Sequence, residues 1–588
     1  MRTARRTTCY VLLRKYKKSD KRAEKHAFVV FFLENYTHLQ ENRKFAQNLI
    51  KLSIIYWVEK ILNYKGEIKN YMIKNEKERI FYQIYPKSFC DSNGDGVGDI
   101  QGIISKIPYL KELGINSVWI SPFFKSPGVD SGYDISDYRA IDASIGTMQD
   151  FEEMVSLFHQ NGIDVILDFV ANHTSTKHAW FKESRKSKDN PYRDYYIWRE
   201  TPPNDWESVF GGSAWEYDKK TGEYYLHSFA KEQADLNWDN PKVRKEMQAV
   251  VDFWLEKGVN GFRCDVLDLI SKDFSSPING SGQKLHAYIK ELFSRESCKK
   301  IFTVGECWSA RKENAELFCK KERKELTTVF AFQHLCLEKG RFDTEKPSLK
   351  ELCKRISKWQ KITSAIPASA TVFLENHDQP RSVSRFADDK KHRYESATAL
   401  GGLILLHDGI PFLYQGQEIG FTNSYHKDIS EFDDAETLGY YTANHGKTNE
   451  KSLMEKINFG SRDNPRHMMA WTGKTSPSWI APYSRQKEIN VEKDRSSKKS
   501  VYKFYQKLIA LRKREECFTK GDFKDVALTD EYYVFKRVWK DKEFFIVFAF
   551  GKKCVAPKLE NVEVVLNNYK KVGKKLQPYQ FIVYQKKK

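Results

Sequence analysis

The chain has 588 residues and a formal charge of +20 at pH 7, which leaves room for two or three domains. About half of the positive excess falls in residues 1–71 and much of the rest is scattered Lys; no basic helix or Arg/aromatic strand pattern supports a nucleic-acid partner. The ten Cys occur singly with no zinc or bridge spacing, and no apolar run approaches the roughly 18 residues that a membrane span needs. The first residues show no clean apolar core with a small-residue cleavage site, so a secreted chain is not expected. These features lead us to expect a reduced, cytoplasmic chain with no nucleic-acid or membrane partner.

Residues 1–71 are rich in Arg, Lys, Ile and Tyr and carry no motif, so they read either as a basic extension or as sequence upstream of a start at Met72. From Glu78 onward, short apolar runs alternate with amphipathic helical stretches. The runs are Ile80–Tyr85, Ser117–Ser121, Asp164–Phe169, Gly261–Val266, Ile301–Gly305, Thr328–Phe332, Thr371–Leu374 and Pro411–Gln415. Helices are predicted over Ile100–Leu113 and over Asp150–Asn161, the latter closed by Gly162. Eight such units predict a (β/α)₈ barrel over 72–173 and 239–515. The Trp- and Tyr-rich stretch 174–238 is too long for a plain connection and predicts a lid domain after strand three. Short alternating strands, such as Tyr532–Val538 and Glu543–Phe548, predict a terminal antiparallel β-sandwich over 516–588.

After the first run, Asp91-Ser-Asn-Gly-Asp-Gly-Val-Gly-Asp99 sets oxygen side chains at alternate positions among glycines. That suits a hard cation with oxygen ligands, or an unliganded Asp/Gly turn. An EF-hand is not expected, because position twelve is Gly102 and a strand comes first.

Four predicted strands run into a carboxylate: Val165-Ile-Leu-Asp168, Gly261-Phe-Arg-Cys-Asp265, Phe302-Thr-Val-Gly-Glu306 and Phe373-Leu-Glu-Asn-His-Asp378. Chemistry in such barrels lies at the C-terminal strand ends, and clustering acids there is costly unless they act. Glycosidic hydrolysis needs this inventory, with one carboxylate to attack the anomeric carbon and one protonated acid for the leaving oxygen. Arg263, two residues before Asp265, shares its strand face and would hold it ionised.

The segments Asp168-Phe-Val-Ala-Asn-His173, Gly261-Phe-Arg-Cys-Asp265, Val304-Gly-Glu306 and Glu375-Asn-His-Asp378 resemble the four diagnostic regions of glycoside hydrolase family 13. The resemblance implies Asp265 as nucleophile, Glu306 as acid/base and Asp378 as the third carboxylate, with Asp168 as a support. It also implies His173, His377 and Arg263 around the terminal glucose. Further segments, including Gly132-Tyr-Asp-Ile-Ser-Asp-Tyr138 and Ser461-Arg-Asp-Asn464, resemble the branch acting on α-1,6-linked glucose. By that resemblance Asp134 and Arg462 clamp the terminal sugar, Tyr133 is its stacking platform and Arg381 adds a contact. It further implies a structural Ca²⁺ held by Asp91, Asn93, Asp95, the Val97 carbonyl and Asp99.

The expected partner is a small oligosaccharide and the expected state a monomer. Val266, after the nucleophile, resembles α-1,6-acting members. A trehalose-6-phosphate hydrolase is the near rival, with Lys272 as a candidate phosphate contact, and a sucrose-acting or transglycosylating enzyme would use the same acids. A transporter-associated glycoprotein without activity is the non-enzyme alternative; the complete set of acids argues against it.

Overall fold

The computed structural model describes residues 73–587 apart from 74, 278 and 367. The expected basic extension over 1–71 lies outside the described residues. Ile73–Lys588 form one compact unit. Its centre is a parallel sheet of eight strands: β1 Phe81–Ile84, β2 Ser117–Ile120, β3 Asp164–Val170, β4 Gly261–Asp265, β5 Phe302–Glu306, β6 Thr328–Phe330, β7 Thr371–Val372 and β8 Ile410–Tyr414. Each matches a predicted run to within a few residues.

The ladder order is β6-β5-β4-β3-β2-β1-β8-β7. Between β6 and β7, side chains replace the ladder: Thr371 Oγ1 donates to the Val329 carbonyl at 3.0 Å and Thr328 Oγ1 to the Ser369 carbonyl at 2.6 Å. These bonds close the barrel. Its interior is packed with aromatic side chains, with Phe81 and Phe412 stacked at 4.4 Å. Continuous apolar strands follow from burial on both faces, since helices cover the outside of the ring. At the start of β4, a Cβ on Gly261 would sit 1.8 Å from the Phe302 carbonyl oxygen, so only glycine lets β4 and β5 approach this closely.

The first barrel helix spans Ile100–Leu113, opens on Asp99 accepting from the Gly102 N–H, and ends at left-handed Gly114. The second runs Met148–Gln160 and begins earlier than predicted, because Thr147 and Asp150 form a reciprocal capping box. Among the described residues, no helix is long and apolar enough to cross a membrane.

After β3 the chain leaves the barrel. A three-stranded antiparallel sheet of Trp198–Arg199, Glu223–Leu226 and Trp215–Asp218 forms there, with Ile197, Trp206, Ala214, Trp215 and Leu226 as its small core. Phe274, from the loop after β4, packs on that core and ties it to the barrel. At the C-terminus a five-stranded antiparallel sheet, Asp522–Leu528 to Phe581–Lys586, meets a two-stranded ladder of Cys554–Val555 and Lys575–Leu576. Val534, Val547, Ala549, Cys554, Leu576 and Ile582 fill the space between them as a sandwich core.

Candidate active site

The C-terminal ends of the barrel strands open into a cavity of about 720 Å³ whose lining includes Asp130, Tyr133, His173, Asp265, Glu306, Trp308, Asp378 and Arg462. Asp265 ends β4 and Glu306 ends β5, so the parallel register delivers both to one rim. One guanidinium holds them. Arg263, 1% exposed, donates from Nη1 to Asp265 Oδ1 at 2.8 Å and to Asp168 Oδ1 at 2.6 Å, and from Nη2 to Glu306 Oε2. Its plane also lies over the Trp119 ring, 5.0 Å from the centroid. Asp168 is fixed further by Trp119 Nε1 and Tyr133 Oη, both at 3.0 Å, and serves as a brace behind the cavity.

Three carboxylates around one cation leave excess negative charge in a buried place. Burial pushes Asp265 well above the ordinary carboxylate range; Arg263 opposes this, while Glu306, Asp168 and Asp378 reinforce it. Asp378 behaves oppositely. Burial pushes it up, but His377, Arg466 and Arg462 prevail and hold it well below the usual range. Arg466 Nη2 reaches Asp378 Oδ1 at 2.8 Å and His377 Nε2 reaches Oδ2 at 3.0 Å.

His377 is placed by Gln83, whose Nε2 lies 2.8 Å from His377 Nδ1, and by the parallel Tyr133 ring at 5.2 Å. A donating Gln83 amide leaves the proton on Nε2, facing Asp378. His173 meets Gln233 Nε2 at 3.1 Å, and burial lowers its pKa to about 4, so it stays neutral at pH 7.

Two expected sugar contacts are elsewhere. Asp134 is fully buried, taking Ser126 Oγ at 2.7 Å and the backbone N–H groups of Val129 and Asp130, so it only shapes its own turn. The carboxylate that faces the cavity and meets Arg462 at 3.3 Å is Asp130, four residues earlier. Arg381 is also fully buried and donates to Glu375 and to the carbonyls of Gln415 and Pro465, bracing the loop after β7 rather than a ligand. The side chain of Lys272, the candidate phosphate contact, is only 5% exposed and pairs with Asp235 at 2.6 Å.

Arg462 lines the cavity, and its anchors were not visible in sequence. Asp434, fully buried, holds its Nη2 at 2.6 Å while capping the helix Ala435–Asn444. Phe210 from the lid lies under the Arg462 guanidinium at 4.8 Å. Trp308, also in the lining and 40% exposed, stacks on Phe332 at 4.0 Å and donates from Nε1 to Glu306 Oε1 at 3.0 Å. The Trp two residues after Glu306 was the signal that sequence offered for this aromatic wall. Val266 lines the cavity in a left-handed conformation, φ 33°, where a β-branched residue is strained by about 1–3 kcal/mol.

In the 91–99 loop, Asp91 accepts the backbone N–H groups of Asn93, Gly94 and Gly96, Asp95 that of Val97, and Asp99 those of Ser92 and Gly102. Gly94 and Gly96 make the wrap possible at φ 86° and 91°. Among the described residues no three His, Cys, Asp or Glu side chains converge as a metal cage.

Comparison with known proteins agrees with this geometry. The family model "Alpha amylase, catalytic domain" matches residues 83–521. An oligo-1,6-glucosidase of Parageobacillus thermoglucosidasius is 44% identical over 533 residues, covering 84% of this chain and 94% of that protein. A glucan 1,6-alpha-glucosidase of Streptococcus dysgalactiae subsp. equisimilis is 40% identical, covering 83% and 94%. A solved structure of Bacillus licheniformis trehalose-6-phosphate hydrolase superposes with a TM-score of 0.82 at 37% identity, covering 87% of this chain and 100% of that one. A parallel barrel with its acids on one rim, and a catalytic-domain match over most of the chain, place this protein in the α-amylase family of glycoside hydrolases.

Proposed function

We propose that the protein is a retaining α-glucosidase that removes terminal α-1,6-linked glucose from the non-reducing end of short oligosaccharides. The carrying observation is the Arg263 fork. Carboxyl groups held by two nitrogens of one guanidinium suit the roughly 5–5.5 Å spacing of a retaining pair rather than the roughly 6.5–9.5 Å of an inverting pair. Asp265 attacks the anomeric carbon and forms a β-glucosyl ester as the C–O bond to the leaving sugar breaks. Glu306 gives its proton to that departing oxygen. Glu306 then takes a proton from water, whose oxygen displaces Asp265 and restores the α configuration. Asp378, kept ionised by Arg466, Arg462 and His377, accepts from hydroxyls of the bound ring.

Several features support removal of single glucoses. Arg462 and Asp130 pair in the cavity lining, with Asp434 anchoring the Arg, and suit the hydroxyls of one terminal sugar, whereas Trp308 and Phe332 offer a flat aromatic wall beside Glu306 for the departing one. Val266 crowds the wall next to the nucleophile, at the position whose identity resembles α-1,6-acting enzymes. A phosphorylated leaving sugar is less well served. Of the Arg residues lining the cavity, Arg462 is held by carboxylates, Arg341 by Glu436 at 3.1 Å, and Arg311 by the Trp308 and Ala310 carbonyls.

Initial rates on isomaltose, panose, maltose, sucrose and trehalose 6-phosphate test the reading. Isomaltose should exceed maltose and trehalose 6-phosphate by about tenfold or more in kcat/KM, and early product should be α-glucose by NMR. Preferred cleavage of trehalose 6-phosphate, or β-glucose as first product, would overturn it.

The Asp91–Asp99 loop is proposed to hold a structural Ca²⁺ through Asp91, Asn93, Asp95, the Val97 carbonyl and Asp99. What supports this reading is a donor set made of hard oxygens alone, carried on one glycine-rich turn. Chelation should lower Tm by roughly 5 °C or more, reversed by Ca²⁺ and not by Mg²⁺, with the pH–rate profile unmoved. A Tm indifferent to chelator would count against the site.

A further inference from the structure

The helix Ala435–Asn444 carries one glycine, Gly439, well inside it. Glycine weakens a helix interior relative to alanine, because it has more freedom to lose. The backbone here is ordinary helix with no left-handed φ, so conformation does not call for glycine. Space does. A Cβ on Gly439 would lie 2.6 Å from the carbonyl oxygen of Phe210, in the lid. The absent side chain lets lid backbone rest directly on helix backbone.

Both sides of that contact reach the sugar cavity. On the helix, Glu436 stands three residues earlier on the same face, lines the cavity and pairs with Arg341 at 3.1 Å. Asp434, the N-cap, holds Arg462 at 2.6 Å. On the lid, the Phe210 ring lies 4.8 Å from the same Arg462 guanidinium. It also meets Phe229 edge-on at 5.7 Å, and Phe229 lies 5.2 Å from the His173 ring. His173, Phe229, Phe210 and Arg462 thus make one unbroken row in the cavity lining, in which Phe210 is the link to the Arg.

The two elements are held unequally. Ion pairs to Arg341 and Arg462, and Asp434 accepting the Thr437 N–H at 3.0 Å, pin the helix to the barrel loops. The lid turn carries Gly211 and Gly212 at φ 95° and 78°. Its printed ties, Val209 N–H to the Ser228 carbonyl at 2.9 Å and Ser208 Oγ to the Phe229 carbonyl at 2.8 Å, run to the lid's own return segment. A side chain at 439 would therefore shift the turn by several tenths of an ångström and carry Phe210 off Arg462.

We infer that Gly439 is a positioning residue for recognition of the terminal sugar, seating the lid so that Phe210 covers Arg462. This rests on the reading above, in which Arg462 and Asp130 meet the hydroxyls of that sugar.

Steady-state kinetics of the full chain test it, with the best disaccharide of the panel as substrate and free glucose as competitive probe. Gly439→Ala should raise KM about threefold to tenfold and the glucose inhibition constant by a similar factor. Its kcat should stay within about twofold of wild type, because Asp265 and Glu306 are set by Arg263 and their own strands. A glycine kept for packing alone would alter Tm and leave both binding constants where they were. Phe210→Ala should move the same two constants, and the double variant should match Phe210→Ala within about twofold, since the ring carries the effect. Should Gly439→Ala fail to fold, Phe210→Ala decides alone. Wild-type KM and glucose inhibition in a folded Gly439→Ala, a fall in kcat at constant KM, or effects of the two substitutions that multiply overturns the inference. So does a Phe210→Ala enzyme with both constants unmoved. Failure of the underlying reading would show differently, as a wild-type enzyme that releases no glucose from any α-glucoside.

Discussion

The Asp265→Asn enzyme is expected to lose about 10⁴-fold or more in kcat and yet to unfold at a higher temperature than wild type at pH 7. The first effect follows from chemistry: an amide oxygen is too weak a nucleophile to form the glucosyl ester. The second follows from linkage. Burial raises the folded-state pKa of Asp265 well above its unfolded value. Such a group binds its proton more tightly when folded; the stability this adds is full below the unfolded pKa and disappears as pH rises through the folded one. At pH 7 the wild-type chain has forgone much of that gain, whereas asparagine avoids the charge and still accepts from Arg263. The stability advantage of the variant should therefore shrink as pH falls towards about 4. A differential melt at two pH values checks it, and equal or lower stability of Asp265→Asn at neutral pH would contradict the burial argument.

Arg263→Met carries the second large effect. Three buried carboxyl groups depend on that guanidinium, so its loss leaves uncompensated charge rather than one missing bond. Breaking a buried pair in this way costs about 3–5 kcal/mol, and activity should fall with it because Asp265 and Glu306 lose their common anchor. The destabilisation should be largest near neutrality and smaller in mild acid, where the orphaned carboxyls take up protons. A denaturation midpoint equally displaced at pH 5 and pH 8 would show that Arg263 acts by packing on Trp119 instead of by charge.

The barrel was legible because each strand is an apolar run between polar turns, and because parallel strands buried on both faces leave a strong imprint on sequence. The acids were legible for a related reason: Asp265, Glu306 and Asp378 interrupt such runs at their ends, where a buried carboxylate is costly. What sequence could not supply was the direction of side chains on irregular backbone. Asp130 and Asp134 stand four apart on one turn, and Ser131 between them has φ 49°, which turns Asp134 back onto its own amides and sends Asp130 to the cavity. Arg381 offers no periodic pattern either; its burial depends on Tyr414 and Phe421, whose rings sandwich it from the β8 end. Lys272 looked solvated because its counter-charge, Asp235, lies across the lid strand paired with His173. Asp130 meets Arg462 across 332 positions of sequence, and Asp434 is recruited to the same Arg from a loop without a motif.

Trapping the covalent intermediate tests the central claim most directly. A glucosyl fluoride carrying a second, deactivating ring fluorine forms the ester and slows its hydrolysis, so the labelled residue can be found by mass spectrometry of peptic fragments. The account predicts one glucosyl adduct, on Asp265 within the β4 peptide. An adduct on Glu306 or Asp378, or none on an enzyme that turns over its substrate, would contradict it.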